Sequence, residues 1–173
     1  GRGSCFKIEL EFDCLEAEEE AAAEAERKTE PEAARWNAFS LADGDTFAGC
    51  LFLVAEDNAI NAEILCELLA MSGARTVVTT DGKQAVRAFM ESEPHTYSAV
   101  LMDVQMPVMD GYQATQAIRQ SGHKRAASIP IIAMTADAFH EDVVRAAEAG
   151  MDGHLAKPID PDLLYQMLAD KFS

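Results

Sequence analysis

The sequence predicts an α/β protein with a doubly wound, five-stranded parallel sheet, preceded by an N-terminal strand and a helical linker. From residue 51 onward, short apolar runs alternate with segments whose apolar residues recur at helical spacing, which gives five β-then-α units. The strand segments are continuous apolar runs, as expected when helices cover both faces of a sheet. Right-handed crossovers then place the carboxyl ends of the strands at one edge, where such folds bind ligands.

The five units are read directly from these patterns. The predicted strands are Leu51–Ala55, Arg75–Thr80, Tyr97–Met102, Ile129–Thr135 and His154–Ala156. The predicted helices are Ile60–Met71, Gly82–Glu91, Tyr112–Gln120, Phe139–Ala149 and Pro161–Lys171. Three of these helices are expected to turn four apolar residues each toward the core: Ile64, Leu65, Leu68 and Leu69; Ala85, Val86, Phe89 and Met90; Leu163, Leu164, Met167 and Leu168.

The N-terminal 48 residues differ in composition from the rest of the chain. They hold 13 acids and 5 bases, whereas residues 49–173 hold 17 acids and 9 bases. In residues 1–13, the alternation of Phe6–Phe12 predicts a half-buried strand, which needs a pairing partner. Residues 14–48 predict an acidic, partly helical linker, and a partner-binding acidic helix is the alternative. Residues 49–173 are expected to form the folded domain.

Charge and cysteine content narrow the classes of partner and compartment. The formal net charge of −16 argues against nucleic acid or an anionic membrane as a partner, because both are polyanions. The four cysteines are widely spaced and favour free thiols in a reducing compartment. The longest apolar run, Phe47–Ala55, is far shorter than the ~20 residues that span a bilayer. We therefore expect a cytoplasmic protein without membrane contact.

Five polar residues follow the predicted strands. Glu56 and Asp57 come after the first strand, Asp103 after the third and Lys157 after the fifth, and Thr135 ends the fourth. Three carboxylates at one edge repel one another unless a cation neutralises them. Oxygen ligands without His or Cys suit Mg²⁺. A lysine and a hydroxyl beside that ion would make a pocket for a phosphoryl group.

Each of these residues also has a purely structural interpretation. Asp57 and Asn58 could cap the following helix, and Asp103 could be a turn residue before Pro107. Thr135 could cap the next helix, and Lys157 could be a surface lysine. The functional interpretation rests on the set, because independent caps do not explain polar residues at four strand ends.

Residues 51–173 resemble the receiver domain of response regulators in two-component signalling, which has the flavodoxin/CheY-like (βα)5 fold. Four motifs in the family's order carry the resemblance: Leu53-Val54-Ala55-Glu56-Asp57-Asn58, Leu101-Met102-Asp103 through Met106-Pro107-Val108-Met109-Asp110-Gly111, Ile131-Ile132-Ala133-Met134-Thr135-Ala136, and Gly150-Met151-Asp152-Gly153-His154-Leu155-Ala156-Lys157-Pro158.

The resemblance implies a role for each residue of the set. Asp103 would be the phosphoacceptor, taking a phosphoryl group from a phosphohistidine of a partner. Asp57 and Asp103 would bind Mg²⁺ directly, Glu56 would bind it through water, and the backbone carbonyl of Gln105 would be a further ligand. Lys157 would contact the phosphoryl oxygens.

Further positions follow from the same resemblance. Lys157–Pro158 is expected to be a cis peptide bond. Thr135 would hydrogen-bond the acyl phosphate, and small Ala136 would leave the site open. His154 occupies the position of the family's switch aromatic, and a partly exposed strand-edge residue is the alternative. Gln105 and Asp137 occupy positions that the family links to the dephosphorylation rate.

The N-terminal residues resemble part of another signalling domain. Gly1-Arg2-Gly3-Ser4-Cys5-Phe6 and the strand after it look like the last strand of a histidine-kinase ATP-binding domain, although residues 1–4 are also compatible with an expression remnant. A kinase end, an acidic linker and then a receiver follow one another in the order found in hybrid histidine kinases. Whether the parent kinase is anchored in a membrane is left open. Its partners would be a histidine-kinase dimerisation domain or a histidine phosphotransfer protein, and a homodimer is left open. The sequence shows no kinase core, so enzymatic activity of this chain is left open, and no DNA-binding output domain is expected.

Three other functions compete with a phosphoacceptor. A docking module that acts without phosphorylation would not need the complete set of five polar residues. An aspartyl phosphatase typically carries a second acid two residues after the nucleophile, where this chain has Gln105. A dinucleotide-binding domain would need G-x-G-x-x-G after the first strand, where Glu56-Asp57-Asn58-Ala59 stands, and is excluded.

Overall fold

The computed structural model describes residues 45–136 and 140–172. The predicted N-terminal strand and most of the predicted linker lie outside these residues. Strands and helices alternate along the described part of the chain: β1 Leu51–Ala55, α1 Ala59–Met71, β2 Arg75–Thr79, α2 Gly82–Met90, β3 Ala99–Asp103, α3 Gly111–Gln120, β4 Ile131–Thr135, α4 His140–Ala149, β5 Gly153–Ala156 and α5 Pro161–Phe172. Each of the ten elements predicted from residue 51 onward has a counterpart. None of the described helices is both long and apolar enough to span a bilayer.

The five strands form one parallel sheet in the order β2-β1-β3-β4-β5, which confirms the predicted fold class. The chain reverses its direction of progress across the sheet between β1 and β3, and this switch point is where doubly wound folds bind ligands. Ala55 of β1 pairs with Met102 of β3. The residues that follow this pair, Glu56 and Asp103, therefore reach the edge of the sheet side by side. The register therefore sets the position of the acids.

Helices cover both faces of the sheet and enclose two apolar layers. Leu53 and Ala55 of β1 belong to the layer that also contains Phe89 of α2 and Ile118 of α3. Phe52 and Val54 point to the other layer, beside residues of α1 and α5 such as Leu65, Leu69, Leu164 and Leu168. Successive strand residues alternate between the faces, so a five-residue apolar strand supplies both layers.

The predicted inward faces of the helices are too wide. Ile64 of α1, Met90 of α2 and Leu163 of α5 are 52%, 52% and 55% exposed. Successive helix residues are about 100° apart, so a helix lying on a sheet buries a narrow stripe and leaves one flank of the apolar face in solvent. Leu65 and Leu69, four residues apart, form that stripe in α1.

The apolar core begins before the predicted start of the folded domain. Phe47, which the sequence analysis places in the linker, is 3% exposed and belongs to the same layer as Phe52. Its ring centroid lies 5.9 Å from those of Phe52 and Phe172. Its backbone N–H donates to the carbonyl oxygen of Ser72 over 2.8 Å. The predicted boundary at residue 49 stays a prediction, but the packed core extends at least to Phe47.

Arg119 of α3 ties together several segments at the amino-terminal edge of the sheet. Its guanidinium donates to the backbone carbonyl oxygens of Ala126, Ile129 and Gly150 over 2.8 to 2.9 Å. It also pairs with the carboxylate of Asp152 over 2.7 Å, and the same carboxylate oxygen accepts the backbone N–H of Ile131. The fork of five donors on arginine suits this task, which a lysine could not perform.

We expect Arg119→Ala to lower the free energy of unfolding by about 2–3 kcal/mol, because it leaves partly buried carbonyl oxygens without donors. Arg87→Ala is the matched control, since Arg87 also lies on a helix and pairs with an acid, Glu91, but is 78% exposed. The control should leave the unfolding midpoint unchanged. Urea titration followed by circular dichroism measures both, and equal losses would show that Arg119 is not the tie inferred here.

Candidate functional site

Three acids meet at the carboxyl edge of the sheet. One carboxylate oxygen from each of Glu56, Asp57 and Asp103 lies within 4.8 Å of the others. Glu56 is 2% exposed and Asp103 4% exposed, whereas Asp57 is open to solvent. The sequence predicts this convergence, and the structure brings the three side chains together.

Lys157 lies between the two buried acids. Its Nζ is 2.6 Å from Oε2 of Glu56 and 2.7 Å from Oδ2 of Asp103, and its side chain is 20% exposed. A surface lysine would not hold two buried carboxylates, so that structural alternative does not apply. The two buried negative charges of Glu56 and Asp103 are thus held together by the one positive charge of Lys157.

The pKa values of Asp103 and Lys157 are both raised in this site. Burial raises the pKa of the Asp103 carboxyl, hydrogen bonds from Lys157 and from the N–H of Gln105 oppose this rise, and the charge of Glu56 adds to it. Burial by itself would lower the pKa of Lys157, but hydrogen bonds to Asp103 and Glu56, together with the negative charges of these two acids, outweigh burial, and the pKa is raised. Lys157 is therefore positively charged at neutral pH.

Helix caps and one glycine place the acids. Asn58, not Asp57, caps α1, with its side chain accepting the N–H groups of Ile60 and Asn61. The carboxylate of Asp57 is thus not used for capping. Gly111 begins α3 directly against β3, where a Cβ would collide with the carbonyl oxygen of Asp103. Only glycine lets α3 approach the end of β3 this closely.

The remaining predicted residues lie at or near the edge. Thr135 is the last residue of β4 and is 7% exposed, and its carbonyl accepts the N–H of Lys157 over 2.7 Å. The backbone N–H of Gln105 donates to Oδ1 of Asp103 over 3.1 Å, while its carbonyl as a ligand stays a prediction. The Lys157–Pro158 bond is cis, as predicted.

His154 lies on β5, three residues before Lys157. It is a half-buried residue of β5, paired in register with Ala133, and it lines a cavity between α4 and β5 together with Val143 and Met151. Both its switch role and its structural alternative stay open. Asp137 lies outside the described residues.

Asn61 is a site residue that the sequence analysis does not predict. Its side-chain Nδ2 donates to Oε1 of Glu56 over 3.0 Å. The sequence signal is weak, since Asn61 stands in the first turn of α1, where polar residues are ordinary helix starters. Only the fold shows that this turn lies over Glu56.

The donor set suits Mg²⁺. It consists of carboxylate oxygens alone, from two buried acids and one exposed acid, and it lies at an open edge where the ion could retain water. Among the described residues, neither His nor Cys belongs to the cluster, so this set does not suit Zn²⁺. These residues fit the magnesium site that the sequence predicts.

Fold and site define a doubly wound α/β domain with an acidic, lysine-bridged centre at its switch point. The model of the response regulator receiver domain matches residues 52–169. This match covers more than half of the chain. The chain therefore belongs to the response regulator receiver family, and the resemblance drawn from the sequence motifs is confirmed.

Individual relatives agree with the family. The chain is 42% identical over 118 residues to hybrid signal transduction histidine kinase I of Dictyostelium discoideum, an overlap of 67% of this chain and 7% of the relative. The chain thus spans less than a tenth of the length of this relative.

Solved structures of receiver domains are also similar to this chain. The receiver domain of the Pseudomonas aeruginosa sensor histidine kinase PA1611, with magnesium in its active-site cleft, is 38% identical. The TM-score is 0.65, and the match covers 73% of this chain and 100% of that one. The receiver domain of the Arabidopsis thaliana histidine kinase CKI1, complexed with Mg²⁺ and BeF₃⁻, is 26% identical with a TM-score of 0.65, covering 76% and 95%.

The loop between β3 and α3 carries backbone strain beside the site. Val108 has a φ of 68°, in the left-handed region that β-branched residues avoid, and it is 81% exposed. Burial does not explain a valine here, because its side chain gains almost no packing.

We expect Val108→Asn to raise the free energy of unfolding by about 1 kcal/mol, because asparagine tolerates the left-handed region. Val108→Thr is the matched control, since threonine keeps the β-branch while making the side chain polar. It should unfold like the unsubstituted chain in a thermal melt. If threonine stabilised the chain as much as asparagine, exposure of the apolar side chain and not backbone strain would be the cause.

Proposed function

We propose that this chain is a phosphorelay receiver in which Asp103 accepts a phosphoryl group from a phosphohistidine of a partner protein, with Mg²⁺ as the cofactor. The observation that supports this most directly is the position of Lys157, whose ammonium bridges Glu56 and Asp103 beside the third acid, Asp57. A purely structural ion pair would need only one acid. Three acids and one lysine at the ligand edge instead suit binding of a dianionic group together with a metal ion.

The transfer is a nucleophilic displacement at phosphorus. A carboxylate oxygen of Asp103 attacks, an O–P bond forms, and the P–N bond to the imidazole breaks with its electron pair passing to the departing nitrogen. The product is an acyl phosphate on Asp103, and the partner histidine becomes neutral after taking up a proton. Bound Mg²⁺ would neutralise charge on the carboxylates and the phosphoryl oxygens.

Asp57, Asp103 and the carbonyl of Gln105 are proposed to hold the ion directly, and Glu56 to hold it through water. Asp57 suits a direct ligand because its carboxylate is exposed and is not used to cap α1. Glu56 is buried and already has a hydrogen-bond partner, which suits an outer role.

Lys157 is proposed to contact the phosphoryl oxygens after transfer, and Thr135 to donate its hydroxyl to them. Both stand at the ends of adjacent strands, joined by the hydrogen bond from the N–H of Lys157 to the carbonyl of Thr135. Thr135 pairs with Ala156 of β5, and His154 lies two residues before Ala156. His154 is proposed to transmit the movement of Thr135 along β5.

We infer that the chain is a piece of a hybrid histidine kinase. Hybrid and sensor kinases are prominent among its relatives, and it spans only a small fraction of their length. On this proposal, residues 1–13 come from the ATP-binding domain, residues 14–48 form a linker, and residues 49–173 form the receiver. Its partner would be a dimerisation domain of a histidine kinase or a histidine phosphotransfer protein.

Incubation with Mg²⁺ and acetyl phosphate should add one phosphoryl group to the chain, at Asp103, as located by mass spectrometry. Asp103→Asn should abolish the adduct, because an amide is not a competent nucleophile. Asp170→Asn is the matched control, on the exposed side of α5, and should be modified like the unsubstituted chain. Absence of an adduct in the unsubstituted chain, or its survival in Asp103→Asn, would contradict the phosphoacceptor role.

Asp57→Ala should weaken Mg²⁺ binding more than Glu56→Gln does, because a direct carboxylate ligand loses more than an oxygen that acts through water. We expect a loss on the order of 10²-fold for Asp57→Ala and about tenfold for Glu56→Gln, from the usual cost of removing inner and outer ligands. Isothermal titration calorimetry with MgCl₂ measures both. Equal losses would argue against the assignment of Asp57 as the direct ligand.

A further inference from the structure

The two carboxylate oxygens of Glu56 have different partners. Oε2 is 2.6 Å from Nζ of Lys157, and Oε1 accepts a hydrogen bond from Nδ2 of Asn61 over 3.0 Å. The carboxylate is therefore held from two sides, by the residue after β5 and by the first turn of α1. Because Glu56 is 2% exposed, its orientation depends on these protein partners more than on bulk water.

Asn61 is not committed to the start of its helix. With Asn58 as the N-cap, Asn61 is the third residue of α1, a position from which side chains commonly reach back to the cap. Here the side-chain amide reaches Glu56 instead, and only the backbone N–H of Asn61 contacts the cap, donating to Oδ1 of Asn58 over 3.3 Å. The amide must present its NH₂ group to Glu56, since a carboxylate oxygen can only accept.

There is room for Glu56 to rotate if this bond is lost. Glu56, Asn61 and Lys157 line one small cavity of about 100 Å³, together with Ile64 and Pro158. A carboxylate without the amide bond would have space to turn into this cavity, away from Asp103. Asn61 stands where it prevents that rotation.

We propose that Asn61 is a positioning residue, which keeps the Glu56 carboxylate directed at the metal site when Lys157 leaves Glu56 for the phosphoryl group. The inference rests on the proposed function, in which Lys157 changes partners. Of the two contacts that the described residues make with the Glu56 carboxylate, one is then given up, and the Asn61 bond is the one that remains. Asn61 would act through Glu56 and would not touch the phosphoryl group itself.

The test is a double-mutant cycle on the full 173-residue chain, read out as the Mg²⁺ dissociation constant by isothermal titration calorimetry in the presence of BeF₃⁻. The beryllofluoride stands in for the phosphoryl group that Lys157 is proposed to contact. Asn61→Ala should weaken Mg²⁺ binding about threefold to tenfold, the effect of losing one partly exposed hydrogen bond to a charged group. In the Glu56→Ala background the same substitution should cost less than about twofold, because alanine leaves no side-chain oxygen through which Asn61 could act.

Two further variants separate positioning from a general effect on α1. Asn61→Leu keeps the volume of the side chain without a donor and should match Asn61→Ala. Ile60→Ala removes a neighbouring side chain that is 67% exposed and should leave Mg²⁺ affinity unchanged. A thermal melt of each variant shows whether it is folded. Asn61→Ala is not expected to unfold α1, because alanine favours helix.

The outcomes are distinguishable. Unchanged Mg²⁺ affinity in both Asn61 variants, or the same loss in both backgrounds of the cycle, would overturn the inference while the unsubstituted chain still forms its Asp103 adduct with acetyl phosphate. If the unsubstituted chain neither bound Mg²⁺ nor formed that adduct, the proposed function itself would fail.

Discussion

The site depends on one constraint: two buried carboxylates at the edge of the sheet require a cation beside them. Glu56 and Asp103 are both less than 5% exposed, and the parallel register of β1 and β3 brings them side by side. Unpaired buried charges of this kind cost several kcal/mol each. Lys157 satisfies both acids, and the hydrogen bond from its backbone to Thr135 fixes where its side chain begins. The ammonium group of Lys157 therefore holds these two carboxylates together at the edge of the sheet.

The two edges of the sheet are built differently. At the amino-terminal edge Arg119 satisfies three carbonyl oxygens and one carboxylate with a single guanidinium, which closes that edge and secures the loops. At the carboxyl edge Asp57 is exposed, and Val108 holds a strained backbone conformation in the adjoining loop. The strained Val108 and the acidic cluster thus lie at the same edge of the sheet, as expected when stability is supplied elsewhere in the fold.

The sequence predicts the strand ends well because their signal is local. Consecutive apolar residues directly before an acid identify Glu56 and Asp103 without any knowledge of the packing, and Lys157 follows the shorter predicted strand His154–Ala156. The flanks of the helices are not predictable in this way, because Ile64 and Leu65 are equally apolar and only the angle of α1 on the sheet decides that Leu65 is buried. The Asn61–Glu56 bond depends on the path of the loop between β1 and α1, and polar residues are common in the first turn of any helix, whether or not a buried acid lies beneath it.

The contacts of Lys157 with Glu56 and Asp103 also affect the free energy of ligand binding, because they must be broken when Lys157 changes partners. Coulomb attraction at 2.6 to 2.7 Å is strong in a site shielded from water, so Lys157 cannot leave its acids unless other positive charge replaces it. A divalent cation alone would supply that charge but would leave the ammonium beside it. When a divalent cation and a dianionic phosphoryl group bind together, the cation supplies positive charge to the carboxylates. The phosphoryl group then offers Lys157 a new partner. On the proposed function, the two ligands are therefore expected to favour each other's binding, and the pairing of Lys157 in the free protein is what couples them.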